Sequence, residues 1–229
     1  MERKIPFIKG ESYHLYSRGV EKRKVFMEEN DYARFVLLLL ACNSKEKVHL
    51  SNGRVPYHQG EPLMGFFDRY AGREKLVDIL AYSLMPNHFH LVVEEKESGG
   101  ISRFMLKLMT AYAMFFNTKY ERSGPLFTRP FRSAHIDSDA YMRWVFAYVH
   151  LNPLEIFEPG WKERGIRDMR KAAEWLKKYR PTSYYDYFLG SRPETSILTV
   201  NALAIDMPEI RGFDALLLAF SEHQGRMLL

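Results

Sequence analysis

Two histidines separated by a single residue, His88 and His90, are the side chains of this sequence best suited to bind a metal ion. They lie in an apolar stretch, residues 81–93, whose pattern is typical of two strands interrupted by a Pro-Asn turn. Alternate residues of a β-strand point to the same face. Both imidazoles are therefore predicted to share one face, while Phe89 points into a core. Because neutral imidazole is a common ligand of divalent metals, the pattern predicts half of a metal site.

A tyrosine and an asparagine, Tyr148 and Asn152, supply the groups that such a site lacks. Residues 139–151 are predicted to be helical, and a spacing of one turn puts both side chains on one face. A tyrosine hydroxyl, with a pKa of about 10, needs a metal ion or a base to become a nucleophile. The amide oxygen of Asn152 suits Mg²⁺ or Mn²⁺. A cation held by His88, His90 and Asn152 would polarise a phosphodiester, which Tyr148 would then attack.

Each of these residues also has an ordinary structural explanation. A His-x-His pair on a strand is often just part of a surface or a core. Tyr148 fits a packed aromatic residue on a helix that is apolar nearly all round. Asn152 fits a helix end before Pro153. The combination of the two motifs, and neither motif alone, favours a catalytic site.

The composition is that of a folded basic protein. The chain has 229 residues, a net charge of +5 and one cysteine, Cys42, which excludes an intrachain disulfide and a thiolate cluster. The charge mildly favours an anionic partner, and the cysteine usage is typical of a reducing compartment. No signal peptide is recognised at the start, and the most hydrophobic segment, residues 36–42, is too short to span a bilayer. We therefore expect a cytoplasmic protein without a membrane partner.

Hydrophobic periodicity predicts an α+β fold. The predicted strands are residues 12–19, 76–85 and 88–94, and residues 129–136 are predicted to be a loop that leads into a last strand. The predicted helices are residues 28–42, 101–120 and 139–151, with an irregular insertion at residues 44–75. The order strand, helix, strand, strand, helix, strand matches a ferredoxin-like split βαβ plait, an antiparallel sheet with helices on one face.

A change of character near Pro159 predicts a boundary in the chain. Residues 1–158 would form the catalytic domain, and residues 159–229 a basic helical C-terminal extension packed on the core. Within the extension, residues 162–180 are predicted to be a basic helical stretch, and residues 213–223 a short final helix.

Basic residues interleaved with aromatic ones predict a surface for single-stranded nucleic acid, since charge neutralisation and base stacking hold single strands. The predicted DNA-binding residues are Arg18, Arg103, Lys119, Arg122, Arg129 and Arg132. The aromatic residues of the 101–120 helix instead fit the buried face of an amphipathic helix. Of the basic residues, Arg129 and Arg132 lie outside that helix and are the ones favoured for contact with DNA.

The sequence resembles the REP-associated tyrosine transposases, which belong to the HUH (His-hydrophobic-His) single-strand transposases and are relatives of the insertion-sequence-two-hundred type. The resemblance spans roughly residues 6–190. The segments that carry it are Tyr13-His-Leu-Tyr-Ser-Arg-Gly-Val20, Met85-Pro-Asn-His-Phe-His-Leu91, residues 112–127 and Tyr148-Val-His-Leu-Asn-Pro153.

The resemblance implies a role for each matched residue. His88 and His90 would be metal ligands, Tyr148 the catalytic tyrosine, and Asn152 the residue that completes the metal site. It also implies Mg²⁺- or Mn²⁺-dependent cleavage of single-stranded DNA, with a 5′-phosphotyrosine intermediate and a free 3′-OH. The expected partner is hairpin-forming single-stranded DNA, bound at the nucleoid in the cytoplasm by a monomer or a homodimer.

Three other interpretations stay open at this point. The chain would be a domesticated DNA-binding protein that recognises hairpins without cutting, a metal-dependent phosphodiesterase that uses water, or a basic α+β protein with incidental histidines. The first has no need to keep both motifs intact, which argues against it. A covalent protein–DNA adduct separates the leading hypothesis from the second.

Overall fold

Four strands form one antiparallel sheet in the computed structural model, which describes residues 6–46, 72–199 and 210–227. The strands are β1 (Ser12–Arg18), β2 (Val77–Met85), β3 (His88–Glu95) and β4 (Arg132–Ile136). Helix α1 (Glu29–Cys42) joins β1 to β2, and helix α2 (Gly100–Lys119) joins β3 to β4. The strand order is β2-β3-β1-β4, with antiparallel neighbours. This is the topology of a ferredoxin-like plait, so the predicted fold class is confirmed.

Alternation along the central strands sorts their side chains onto two faces of the sheet. One face is apolar, and its residues, such as Leu15 on β1 and Phe89 on β3, pack with those of α1 and α2 in one core. The other face carries His14 and Tyr16 on β1 and His90 on β3, because these positions alternate with the apolar ones. The two crossover helices thus share one face, and the polar groups are on the other.

One buried carboxylate, that of Glu95, fixes where α2 begins. Glu95, the last residue of β3, is fully buried. Its carboxylate accepts hydrogen bonds from the backbone N–H groups of Gly99 (2.8 Å) and Ile101 (2.7 Å). These are donors that the first turn of a helix leaves unpaired, and a negative charge there is favoured by the helix dipole. Gly99 has a left-handed backbone (φ 74°), which glycine adopts without strain.

A second core covers the opposite face of the sheet. It is built around helix α3 (Asp139–Leu151), whose apolar residues meet Val92 of β3. The side chain of Ser138 accepts a hydrogen bond from the Tyr141 N–H (3.4 Å), as a helix N-cap does. The C-terminal helix α8 (Phe213–Met227) packs along α3. The sheet is therefore covered on both faces, by the crossover helices on one and by α3 with the C-terminal residues on the other.

Between α3 and α8, the described residues form four short α-helices. These are α4 (Leu154–Phe157), α5 (Trp161–Arg164), α6 (Met169–Lys178) and α7 (Tyr184–Phe188). The basic stretch predicted as one helix is two, because Gly165 adopts a positive φ of 77° at the end of α5 and Asp168 caps α6. Among the described residues, no helix has both the length and the apolar character needed to cross a bilayer. Most of the predicted insertion, residues 47–71, lies outside the described part.

Residues of the C-terminal extension also cover the outer edge of the sheet. Thr182 forms an antiparallel bridge with Ser83 of β2, and Leu198 forms a parallel bridge with Ile79. These bridges pair backbone groups that an edge strand would leave open. The second core likewise joins residues on both sides of the boundary predicted near Pro159. The extension is thus in extensive contact with the sheet, while the division into two domains stays a prediction.

The Asn43 side chain ties the end of α1 to the start of β2. Its Oδ1 accepts from the Leu76 and Val77 N–H groups (both 3.0 Å), and its Nδ2 donates to the Val77 carbonyl (2.8 Å). We expect Asn43→Ala to lower the free energy of unfolding by at least about 2 kcal/mol, because it leaves buried backbone groups unpaired. Urea denaturation measures this loss. Lys45→Ala, which removes exposed ion pairs nearby, should cost far less, because exposed ion pairs contribute little to stability; equal losses would contradict the prediction.

The packing of α8 gives a second prediction. Phe220 is 5% exposed, and its ring lies 5.1 Å from that of Trp161 and 6.3 Å from that of Trp144. Phe220→Ala should lower the free energy of unfolding by about 3 kcal/mol, because it opens a cavity in the second core. Leu218, on the same helix, is 60% exposed, so Leu218→Ala is the control and should change stability by less than about 0.5 kcal/mol. Similar values for both variants would show that α8 does not pack this way in solution.

Candidate active site

The two histidines of β3 lie side by side on the face of the sheet that α3 covers. Their ring centroids are 5.0 Å apart. Phe89 between them is fully buried in the apolar core on the other face. Antiparallel pairing with β1 places Arg18 opposite His88 and Tyr16 opposite His90. The alternation predicted from the sequence therefore brings the two imidazoles together.

Neighbouring side chains orient both rings. His88 Nδ1 is 2.6 Å from Asn87 Oδ1, an atom that only accepts, so His88 carries its proton on Nδ1 and leaves Nε2 as an acceptor. His90 Nδ1 is 2.8 Å from His14 Nε2. Burial lowers the pKa of His88 and of His14 to about 4, and it holds the pKa of His90 well below its ordinary value. All three rings are therefore neutral at pH 7.

Two buried polar atoms at this place have no hydrogen-bond partner among the described residues. One is His90 Nε2, and the other is the hydroxyl of Ser83, which lies directly opposite His90 on β2. Buried polar groups are nearly always paired, so an unpaired nitrogen and an unpaired hydroxyl on facing residues call for a partner such as a bound ion. The donor set suits a cation, since an unprotonated imidazole nitrogen is a metal ligand.

Helix α3 brings Tyr148 against the histidines. Its ring lies 5.3 Å from that of His90, edge to face, and 6.0 Å from that of His14. Burial is the main cause that raises the pKa of Tyr148, and the Arg18 guanidinium opposes it. The phenol is therefore protonated at pH 7, and nearby positive charge favours its anion.

The ring of Tyr148 is held on its other sides by residues distant in sequence. Trp144, one turn earlier on α3, stacks on it at 5.3 Å, and Phe220 of α8 lies nearly parallel at 6.4 Å. The Lys162 ammonium, from α5, lies 4.6 Å from the ring centroid, within the range of a cation–π interaction. Two of these three neighbours come from the C-terminal extension, so the extension helps to build the site.

Asn152 ends α3 and reaches His88. Its side chain is 2% exposed, and its backbone N–H donates to the Tyr148 carbonyl (2.8 Å). Its Nδ2 lies 3.3 Å from His88 Nε2, and its Oδ1 accepts from Lys162 Nζ (2.8 Å). The structure thus brings together all four predicted residues of the site, the histidine pair with Tyr148 and Asn152.

Three exposed arginines among the predicted DNA-binding residues lie outside α2, and two of them share the face of the site. Arg18 lies opposite His88 on β1, and Arg132 lies opposite Tyr16 at the start of β4. Arg129 is exposed in the loop before β4. Positive charge beside the histidines is suitably placed for a nucleic-acid backbone.

The other three predicted DNA-binding residues belong to α2 or follow it, on the far side of the sheet. Arg103 pairs with Glu97, and Lys119 pairs with Glu28 and with the buried Asp31. Arg122 donates to Asn117 Oδ1 (2.6 Å). The structure does not bring these three to the site, so any contact they make with DNA is separate from the histidines.

Several residues of the site were not assigned to it from the sequence. His14 and Tyr16 lie on β1, and their alternation with apolar residues was a signal that could have put them beside the histidines. Lys162 and Phe220 carried no such signal, because their places depend on how the extension folds back onto α3.

A comparison with protein families agrees with the motifs. Residues 61–152 match the family described as "Transposase IS200 like", a span that includes the histidine pair, Tyr148 and Asn152. No curated protein matches the sequence at a significant level. A solved structure of a REP-associated tyrosine transposase bound to a REP hairpin aligns with 82% of this chain and 84% of that chain, at 12% identity and a TM-score of 0.49. The resemblance predicted from the sequence is therefore confirmed for residues 61–152, which are similar to the IS200-like transposases.

Proposed function

We propose that this protein is a metal-dependent DNA strand transferase that cuts and rejoins single-stranded DNA through a covalent bond to Tyr148. One observation carries the proposal: a tyrosine, two histidines and an asparagine from two separate segments meet on one face of the sheet. They do so inside the region that is similar to the IS200-like transposases.

The residues present fit a divalent cation, Mg²⁺ or Mn²⁺. His88 and His90 would each offer Nε2, and Asn152 would offer its amide oxygen. Asn87 and His14 would act as outer partners that orient the two rings. When bound, the cation would polarise the phosphodiester. Among the described residues, no group of three or more His, Cys, Asp or Glu has the arrangement of a metal site, so the amide and the oxygens of the substrate would complete the coordination.

Tyr148 would be the nucleophile. Its oxygen forms a bond to phosphorus, the bond from phosphorus to the 3′-oxygen breaks, and that oxygen takes up a proton to leave a free 3′-OH. The phenolic proton must be lost first, and the Arg18 guanidinium favours the anion. Attack by a 3′-OH on the phosphotyrosine reverses the step, so the strand is rejoined without ATP.

The substrate would be single-stranded DNA that forms a hairpin. Arg18 and Arg132 border the site and would bind phosphates on either side of the scissile bond, with Arg129 nearby. A side chain such as Tyr16, half-buried on the same face, offers a ring for stacking. A protein that acts on such a substrate would be located at the nucleoid, in the cytoplasm.

We expect Tyr148→Phe to abolish the covalent DNA adduct while DNA binding and folding persist. The change removes one hydroxyl and keeps the ring, so its cost in stability should stay under about 1.5 kcal/mol. The measurement is denaturing electrophoresis of labelled single-stranded DNA after incubation with Mn²⁺, with and without protease. Tyr141→Phe, two turns earlier on α3, is the matched control and should still form the adduct.

Each other outcome of that assay selects a different function. An adduct in the Tyr148→Phe variant would make another tyrosine the nucleophile, with Tyr141 the first to test. DNA cut by the wild type without any adduct would identify a phosphodiesterase that uses water. Binding of hairpins without cutting would identify a DNA-binding protein that does not cleave.

Affinity for hairpin DNA should fall with salt, by about 0.7 in log affinity per unit of log salt for each single-strand phosphate contacted. If DNA binds over the site, Arg132→Gln should reduce this slope by about that amount, because one phosphate contact is lost. Fluorescence anisotropy over a range of salt measures the slope. Arg103→Gln, on the far side of the sheet, tests the second group of predicted DNA-binding residues. A loss of slope in this variant alone would place the DNA along α2.

A further inference from the structure

A chain of hydrogen bonds fixes the orientation of the Asn152 amide. An ammonium group only donates, so the atom of Asn152 that faces Lys162 Nζ at 2.8 Å must be the oxygen. The amide nitrogen then faces His88 Nε2 at 3.3 Å. His88 can accept there because its own proton is on Nδ1, directed at Asn87 Oδ1 (2.6 Å). Three independent donor–acceptor requirements therefore agree on one orientation.

This orientation is the wrong one for a metal ion. A cation shared by the Nε2 atoms of the two histidines needs an oxygen from Asn152, but the amide presents its NH₂ group to His88. Rotation of the amide would turn its oxygen towards the histidines. The same rotation would turn the NH₂ group towards the Lys162 ammonium, where two donors would face each other. Lys162 and a cation at the histidines therefore require opposite orientations of one side chain.

We propose that Lys162 is a positioning residue that holds Asn152 in the orientation unable to bind metal, and so weakens the affinity of the DNA-free protein for a divalent cation. The inference rests on the metal site of the proposed function. Lys162 is well placed for this role because it is half-buried and has a second partner, the ring of Tyr148, 4.6 Å from Nζ. One side chain of the extension thus acts on the nucleophile and on the metal ligand.

The substitution Asn152→Asp separates this mechanism from simple charge repulsion. A carboxylate has two equivalent acceptor oxygens. One can face Lys162 while the other faces the cation, so no rotation is needed. In an Asn152→Asp background, removal of Lys162 should therefore not tighten metal binding. Repulsion between the ammonium and the cation would instead act in both backgrounds.

The experiment is a titration of Mn²⁺ into the DNA-free full chain, in which the signal of free Mn²⁺ is followed by electron paramagnetic resonance. Lys162→Met removes the donor and keeps the aliphatic stem, and Lys162→Gln adds an acceptor for the rotated amide. Both should bind Mn²⁺ about 5- to 150-fold more tightly than the wild type, the range typical of coupled sites. Lys162→Arg keeps the charge and the donor, so its affinity should stay close to that of the wild type.

Thermal unfolding of each variant, followed by circular dichroism, shows that the comparison is made between folded proteins. Unchanged or weaker Mn²⁺ binding in folded Lys162→Met and Lys162→Gln would overturn the inference. Equal tightening in the wild-type and Asn152→Asp backgrounds would also overturn it, because repulsion alone would then explain the effect. The absence of Mn²⁺ binding in every variant would do the same.

These outcomes are independent of the test of the proposed function. A Tyr148 adduct in the wild type at saturating Mn²⁺ supports strand transfer whatever Lys162 does to metal affinity. Tighter Mn²⁺ binding by the Lys162 variants without any adduct would support the inference and contradict strand transfer.

Discussion

The pairing of β1 with β3 decides which side chains meet at the site, since residues directly opposite each other on antiparallel strands share a face. In the observed register Arg18 faces His88 and Tyr16 faces His90. A shift by one residue would send the polar side chains of one strand into the apolar core and turn residues such as Phe89 onto the polar face. The packing of the apolar face against α1 and α2 therefore enforces the arrangement of the histidines on the other face.

The second face depends on residues far along the chain. Helix α3 carries Tyr148, but Phe220 of α8 and Lys162 of α5 fix the position of its ring. Residues of the same extension pair with β2, where Thr182 bridges Ser83. The polar face of a plait can hold histidines without help, whereas Tyr148 needs a second core to hold it above them. In this protein the extension supplies that core.

The parts of the site that could be predicted from the sequence are those set by the periodicity of a single strand or helix. The strand period places His88 and His90 on one face, and the helical period relates Tyr148 to Asn152. The topology followed from the order of such elements. Contacts between residues far apart in the sequence leave no periodic pattern in it. For this reason Lys162 could not be assigned to the site from the sequence. The same limit applies to the basic residues of α2, because helical spacing shows which residues share a face but not on which side of the sheet the helix lies.

Tyr148 and Asn152 lie one turn apart on the same helix, and the Asn152 N–H donates to the Tyr148 carbonyl. They are parts of one rigid element, while the histidines belong to another. A displacement of α3 that carries Tyr148 towards or away from His90 also carries the Asn152 amide towards or away from His88. The position of the Tyr148 hydroxyl and the contact between Asn152 and His88 are thus one mechanical variable, and only side-chain rotation can separate them.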